Sequence, residues 1–288
     1  MVRSYVPALA AIALWATNAL VASQVLTTLP VEQVQVLQFA GAALVFALAQ
    51  MFAPRDAGRS VLGLALGVIG VTGTMMFQYF AFAAGPIAQV NIIAYAWPLL
   101  VAVLAVASGR IARPGRFLVL TILGFFGAAL VLTRNLSGGS FGAFGMGPVW
   151  ALLSALCMAT YSAAIGRIRS HQGAAHLAGA TVGLVLAAVF CARSGLGFPD
   201  PAGSGFWLGL YLGIGPIGLG YLFWARAMKA DPTGRTAALG YLTPVASTAL
   251  LMSVGATMPP LALLGGAIVV ACCALTGFEA DRNAQPQR

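Results

Sequence analysis

The chain has 288 residues, 60% of them hydrophobic and only 7% charged, with a mean hydropathy of +0.92 and a formal net charge of +9. A soluble domain carries about a quarter charged residues, so the composition excludes a water-covered globular protein and describes one embedded in a bilayer. The basic excess does not describe a nucleic-acid binder, because Arg and Lys are scattered singly between apolar runs and form no stripe.

Apolar stretches of roughly 20 residues favour helices over barrel strands, which would alternate every second residue. Ten membrane helices are predicted, at roughly 5–25, 32–52, 60–83, 86–108, 115–133, 147–168, 174–193, 205–229, 232–254 and 260–278. The start, MVRSYVPALAAIALWATNAL, resembles a signal peptide, but no convincing A-x-A site follows and the run is long enough to span. It is read as a retained first helix. Helix 2 opens at Glu32. Helices 3 and 8 carry matched small-xxx-small faces, Gly63/Gly67 and Gly209/Gly213, which let backbones approach closely in lipid. Helices 4 and 9 open at Pro86 and Pro232 and hold Pro98 and Pro244 twelve residues further on. The glycine-rich, uncharged stretch from Asn135 to Gly145 is the natural linker between halves, 1–137 and 138–288. No loop is long enough for an extramembrane domain.

The halves repeat each other. LGLALGVIG from Leu62 returns as LGLYLGIGP from Leu208, 146 positions later. The same offset pairs Phe77 with Phe223, Ala81 with Ala227, Tyr95 with Tyr241 and Pro98 with Pro244. Two units with an odd number of spans enter the bilayer from opposite faces, a plan of secondary transporters whose site lies between the halves. With the N-terminus cytoplasmic, 13 of the 15 basic residues fall on that side; Arg134 and Arg193 do not. This positive-inside bias places both termini in the cytoplasm.

No catalytic set is visible, so the chain is not read as an enzyme, and no metal or cofactor is expected. Cys157, Cys191, Cys272 and Cys273 lie in apolar segments without metal-ligand spacing. His171 and His176 sit near one end of helix 7 without a carboxylate nearby. Asp56, Asp200, Asp231, Glu279 and Asp281 fall in loops or tails. No ionisable group lies near the centre of any predicted helix, which favours facilitated movement or exchange over a carboxylate relay.

Pro98 and Pro244, near mid-membrane, leave the carbonyls of Ala94 and Gly240 without a helical partner and are candidate hinges. Tyr95 and Tyr241 precede them by three residues, and Trp15 with Tyr161 form another pair at the repeat offset. Their polar tips need partners or water. With Asn18, Gln38, Gln78, Gln89 and Asn91, and with Tyr79 and Trp224, they point to a polar-aromatic cavity suited to a small solute with an apolar or aromatic body. Fixed counter-charges are lacking, which disfavours a strongly anionic substrate.

The Gly85-Pro86…Pro98 spacing, its echo at Pro232…Pro244, and the opening Ala13-Leu14-Trp15-Ala16-Thr17-Asn18 resemble the EamA-type exporters of the drug/metabolite transporter superfamily. Trp15–Asn18 and Tyr95-Ala96-Trp97-Pro98 are similar to the YddG-type aromatic amino acid exporters. The resemblance implies a bacterial inner-membrane protein with a central cavity between inverted halves, working by alternating access, and export of Phe, Tyr, Trp and similar solutes. One departure is that Gly109 is followed by Arg110, where the family often carries Gly-Glu. The expected partners are a small molecule, preferably an aromatic amino acid, and the lipid bilayer; a monomer is compatible with this plan. Other amino acids, nucleosides or cationic drugs are the rival substrates. A membrane-embedded lipid enzyme or a non-transporting assembly partner is the rival of another class.

Overall fold

The computed structural model describes residues 2–52, 60–109, 111, 113–133, 145–168, 172–231, 233–253 and 259–282. The sequence-named Arg55, Asp56, Arg59, Arg110, Arg134, Arg169, His171, Pro232 and Arg288, and the linker stretch 135–144, lie outside the described residues.

Among the described residues all regular structure is helical. The chain opens with α1 (Val2–Ala16) and α2 (Asn18–Val25), followed by α3 (Val31–Met51). Next come α4 (Val61–Gly67), a π-helical turn (Val68–Gly73) and α5 (Thr74–Ala84). Then follow α6 (Ile87–Ala94), α7 (Trp97–Ala107), α8 (Pro114–Thr133), α9 (Gly147–Ile165) and α10 (Gln172–Arg193). A second interrupted rod holds α11 (Ser204–Leu212), a π turn (Gly213–Leu219) and α12 (Gly220–Ala230). A 3₁₀ segment (Arg235–Tyr241), α13 (Leu242–Ser253) and α14 (Pro260–Arg282) complete it. Eight stretches among the described residues, from Tyr5–Val25 to Ser204–Ala230, are long and apolar enough to cross a bilayer, and Pro260–Thr276 is a shorter apolar helix.

Where the sequence predicts unbroken helices, the structure interrupts five of them. The first breaks at Thr17, whose hydroxyl donates to the Leu14 carbonyl at 2.8 Å. The fourth stops at Ala94 and restarts at Trp97, so Pro98 is the second residue of α7 rather than a mid-helix kink. A first-turn proline lacks an N–H that would be unpaired anyway. The Tyr95 N–H still donates to the Asn91 carbonyl at 2.9 Å, and the Leu100 N–H to the Ala96 carbonyl at 3.1 Å. Pro244 likewise sits in the first turn of α13, after the 3₁₀ segment. The two π turns fall at the repeat offset to within one residue. Pro216, inside the second, cannot donate and so disfavours a continuous α ladder there.

Two glycines of the repeat set the closest approaches. A Cβ on Gly67 would lie 1.8 Å from the Ala175 carbonyl oxygen on α10, and one on Gly213 would lie 2.3 Å from that of Gln38 on α3. Each half thus seats its third helix against the second helix of the other. Gly209 rests on the Leu37 side chain, and the Gly63 N–H donates to Ser60 Oγ at 3.3 Å. The corresponding helices α3 and α10 run antiparallel, since Phe39 lies on Gly183 while Phe46 stacks on His176 at 5.1 Å. Helices α8 and α14 also run antiparallel, with Gly124 beside Cys272 and Gly127 against Gly265.

Candidate functional site

A cavity of about 550 Å³, the open space at its mouth included, lies among α1/α2, the first π-containing rod, α6/α7, α9 and the second π turn. Of the residues singled out from sequence, Trp15, Asn18, Gln78, Asn91 and Tyr95 line it. Thr74, Met75, Trp97, Ser154, Met158, Pro216, Ile217 and Tyr221 also line it and were not foreseen. Among the described residues the lining contains no Asp, Glu, Lys, Arg or His.

Its floor is aromatic. Trp15 meets Trp97 edge-on at 6.5 Å and Tyr221 at 6.1 Å, and lies over Trp224 at 5.1 Å. Trp97 meets Trp224 edge-on at 5.3 Å. Such tilted arrangements add attraction beyond area burial. The indole N–H of Trp15 donates to the Pro216 carbonyl at 2.9 Å, tying the first helix to the second π turn. The Tyr221 hydroxyl donates to the Gly70 carbonyl at 3.0 Å in the first π turn. Gly70 and Pro216 are 146 positions apart, so equivalent carbonyls of the two halves each accept an aromatic tip from the opposite half.

Four aromatic sequence candidates and two glutamines do not line the cavity. Tyr79 is wholly buried behind the wall, and its hydroxyl donates to Asn18 Oδ1 at 2.9 Å. Trp224 lies beneath the floor, its indole N–H donating to Ser162 Oγ at 3.0 Å. Tyr161 packs on Gly70, with its hydroxyl 2.5 Å from His176 Nε2. His176, read from sequence as lying at a helix end without an acidic neighbour, is therefore wholly buried in an aromatic nest of Tyr161, Tyr221 and Phe46. Tyr241 packs near Gly124 and Phe125, at the face where α8 meets α14. Gln38 is also buried, at the Gly213 contact, and Gln89 is a wall residue of a smaller pocket near Pro86. Among the described residues no three metal-ligating side chains gather. Because Tyr241 stands apart from the cavity, Tyr241→Phe should leave solute flux within about twofold of wild type in proteoliposomes, an ordinary effect for a change outside contact range.

One signal available in the sequence would have found Tyr221. Met75 is its partner at the repeat offset, and both residues reach the cavity. Trp97 was visible too, within Tyr95-Ala96-Trp97-Pro98.

The EamA-like transporter family matches the chain twice, over residues 3–133 and over residues 145–278. The chain belongs to the EamA-like transporter family. This EamA-family transporter is 29% identical over 222 residues to a protein of Ancylobacter novellus named aromatic amino acid exporter YddG, covering 74% of this chain and 73% of the relative. A protein of known crystal structure is similar over 99% of both chains, with 25% identity and a TM-score of 0.80. Family membership and eight apolar spans among the described residues make the EamA-family transporter a multi-pass membrane protein that handles a small molecule.

Proposed function

We propose that this EamA-family transporter exports aromatic amino acids and similar small metabolites across a bacterial inner membrane by alternating access. The observation that carries the reading is the cavity itself, a chamber floored by Trp15, Trp97 and Tyr221 and walled by neutral amides and hydroxyls. Flat apolar bodies gain contact area and edge-to-face attraction on such a floor. A net ionic substrate would find no counter-charge there, and burying an unpaired charge is costly. A zwitterion carries no net charge and can be solvated by neutral dipoles. The A. novellus relative, named an aromatic amino acid exporter, supports the same substrate class.

Two matched halves, 1–137 and 138–288, support the alternating mechanism. The family matches each half separately. Equivalent glycines Gly67 and Gly213 make exchanged contacts, and the equivalent helices α3 and α10 run in opposite directions. An inverted five-span repeat, ten spans in all, accounts for both features. In such a pair each half can adopt the arrangement of the other, which moves the closed side from one face to the other. The helix break before Pro98 and the 3₁₀ segment before Pro244, at equivalent positions of the two halves, support a hinge role for these prolines. The bias of basic residues supports cytoplasmic termini.

The test is uptake of labelled tryptophan into liposomes holding the purified chain, against threonine, a nucleoside and a cationic dye. Tryptophan flux at least fivefold above empty vesicles is expected. Flux equal to that of empty vesicles, with another solute moving, would replace the aromatic substrate by that solute.

A further inference from the structure

The two asparagines of the cavity are turned the same way. Tyr79 is wholly buried, and its hydroxyl donates to Asn18 Oδ1 at 2.9 Å. A buried phenol proton needs an acceptor, so this bond fixes the amide. Asn18 Oδ1 faces the wall, and its Nδ2, with two N–H donors, faces the cavity that Asn18 lines. Asn91 lines the same cavity from α6, and its Oδ1 is buried without a hydrogen-bond partner, so the amide end left to meet a solute is Nδ2. Asn18 lies three residues past Trp15, an axial rise of about 4–5 Å, and Asn91 lies six residues before Trp97.

We infer that Asn18 and Asn91 form a neutral donor clamp for the carboxylate of the substrate, with Tyr79 as the positioning residue that keeps Asn18 turned. This rests on the exporter reading and specifies how its site discriminates. A carboxylate only accepts hydrogen bonds, and amide N–H groups only donate them. Bonds to an ionised group are short and strong even when the donor is neutral. The ring then lies on the Trp15–Trp97–Tyr221 floor, and the carboxylate reaches the amides above it. A neutral clamp also lets the solute go on the far side, where a fixed Arg or Lys would hold it. Among the described residues no acidic side chain lines the cavity to hold an ammonium. An aromatic amine lacking the carboxylate therefore loses the clamp and gains nothing.

The test compares tryptophan with tryptamine on the purified full chain, by ligand-induced thermal stabilisation and by liposome flux corrected for empty vesicles. Wild type should be stabilised by tryptophan at concentrations at least tenfold below those needed with tryptamine. Asn18→Asp places an anion where the carboxylate sits and should reverse that order. Tyr79→Phe frees the amide to rotate and should reduce the preference several-fold, while leaving binding of both compounds measurable. Asn91→Asp tests the second donor and serves if Asn18→Asp does not fold. An unchanged tryptophan preference in the folded Asp variants overturns the clamp. A wild-type chain that neither binds nor moves any aromatic solute overturns the exporter reading instead.

Discussion

Gly67→Val should abolish the folded bundle. Even the first carbon of the new side chain would lie 1.8 Å from the Ala175 carbonyl oxygen and 2.3 Å from its carbon. Both atoms are backbone, so no rotamer change makes room, and α4 must move away from α10. Overpacking a core ordinarily costs about 1–3 kcal/mol, and a backbone-on-backbone clash of this depth lies above that range. Water would drive separated apolar faces together again; lipid supplies no such drive, because its chains are as apolar as the helices. The expected result is loss of the monodisperse species in size-exclusion chromatography. Gly67→Ala should already lower the melting temperature by more than about 10 °C. Gly213→Val, with its carbon 2.3 Å from the Gln38 carbonyl oxygen, should behave alike. Gly115→Ala, with nothing within 4 Å, is the control and should melt with wild type. A folded, active Gly67→Val chain would refute the close α4–α10 contact.

Trp15→Ala should cut tryptophan flux at least tenfold while the chain still inserts in the membrane. The substitution removes the ring that touches Trp97, Tyr221 and Trp224, and leaves the Pro216 carbonyl without its indole donor. A fully buried Trp→Ala change costs about 3–5 kcal/mol through lost contacts and the void left behind, and the half-buried Trp15 loses part of that. Here the void opens directly into the floor on which the proposed substrate rests. Trp15→Phe keeps an aromatic face and loses the Pro216 bond, so it should retain more flux than the alanine variant. Gly220→Val gives an independent check, since a Cβ there would lie 2.7 Å from Trp15 Nε1 and push the indole aside. Wild-type flux in Trp15→Ala would remove the aromatic floor from the transport path.

Much of the architecture can be read along the chain because the bilayer imposes it. Long uncharged runs must be helices in lipid, and those predicted for α3, α8, α9 and α10 end within a few residues of the observed limits. The repeat offset also pairs Gly67 with Gly213, and at both positions the helices meet backbone to backbone. Site residues were harder to read. Trp15, Asn18, Asn91 and Tyr95 reach the cavity, whereas Tyr79 and Trp224 are buried behind it. Tyr79 and Trp224 share a history: each follows a π turn in its rod. A π turn holds more residues than an α turn, and each residue advances the helix by about 100°. Side chains downstream therefore face directions that unbroken 3.6-residue counting does not anticipate. Tyr241 is the last residue of a 3₁₀ segment, which shifts the facing in the opposite sense.

Hydropathy, glycine spacing and the internal offset are properties of the linear chain, and they determine a helical membrane protein with two corresponding halves and close-packed third helices. Which aromatic and amide groups share one chamber depends on the turns at Thr17, Tyr95 and the two π segments. Those turns form where packing against the opposite half supplies partners for freed backbone groups, as Tyr221 does for Gly70. Such partners lie 151 residues away in sequence, beyond the reach of any local pattern.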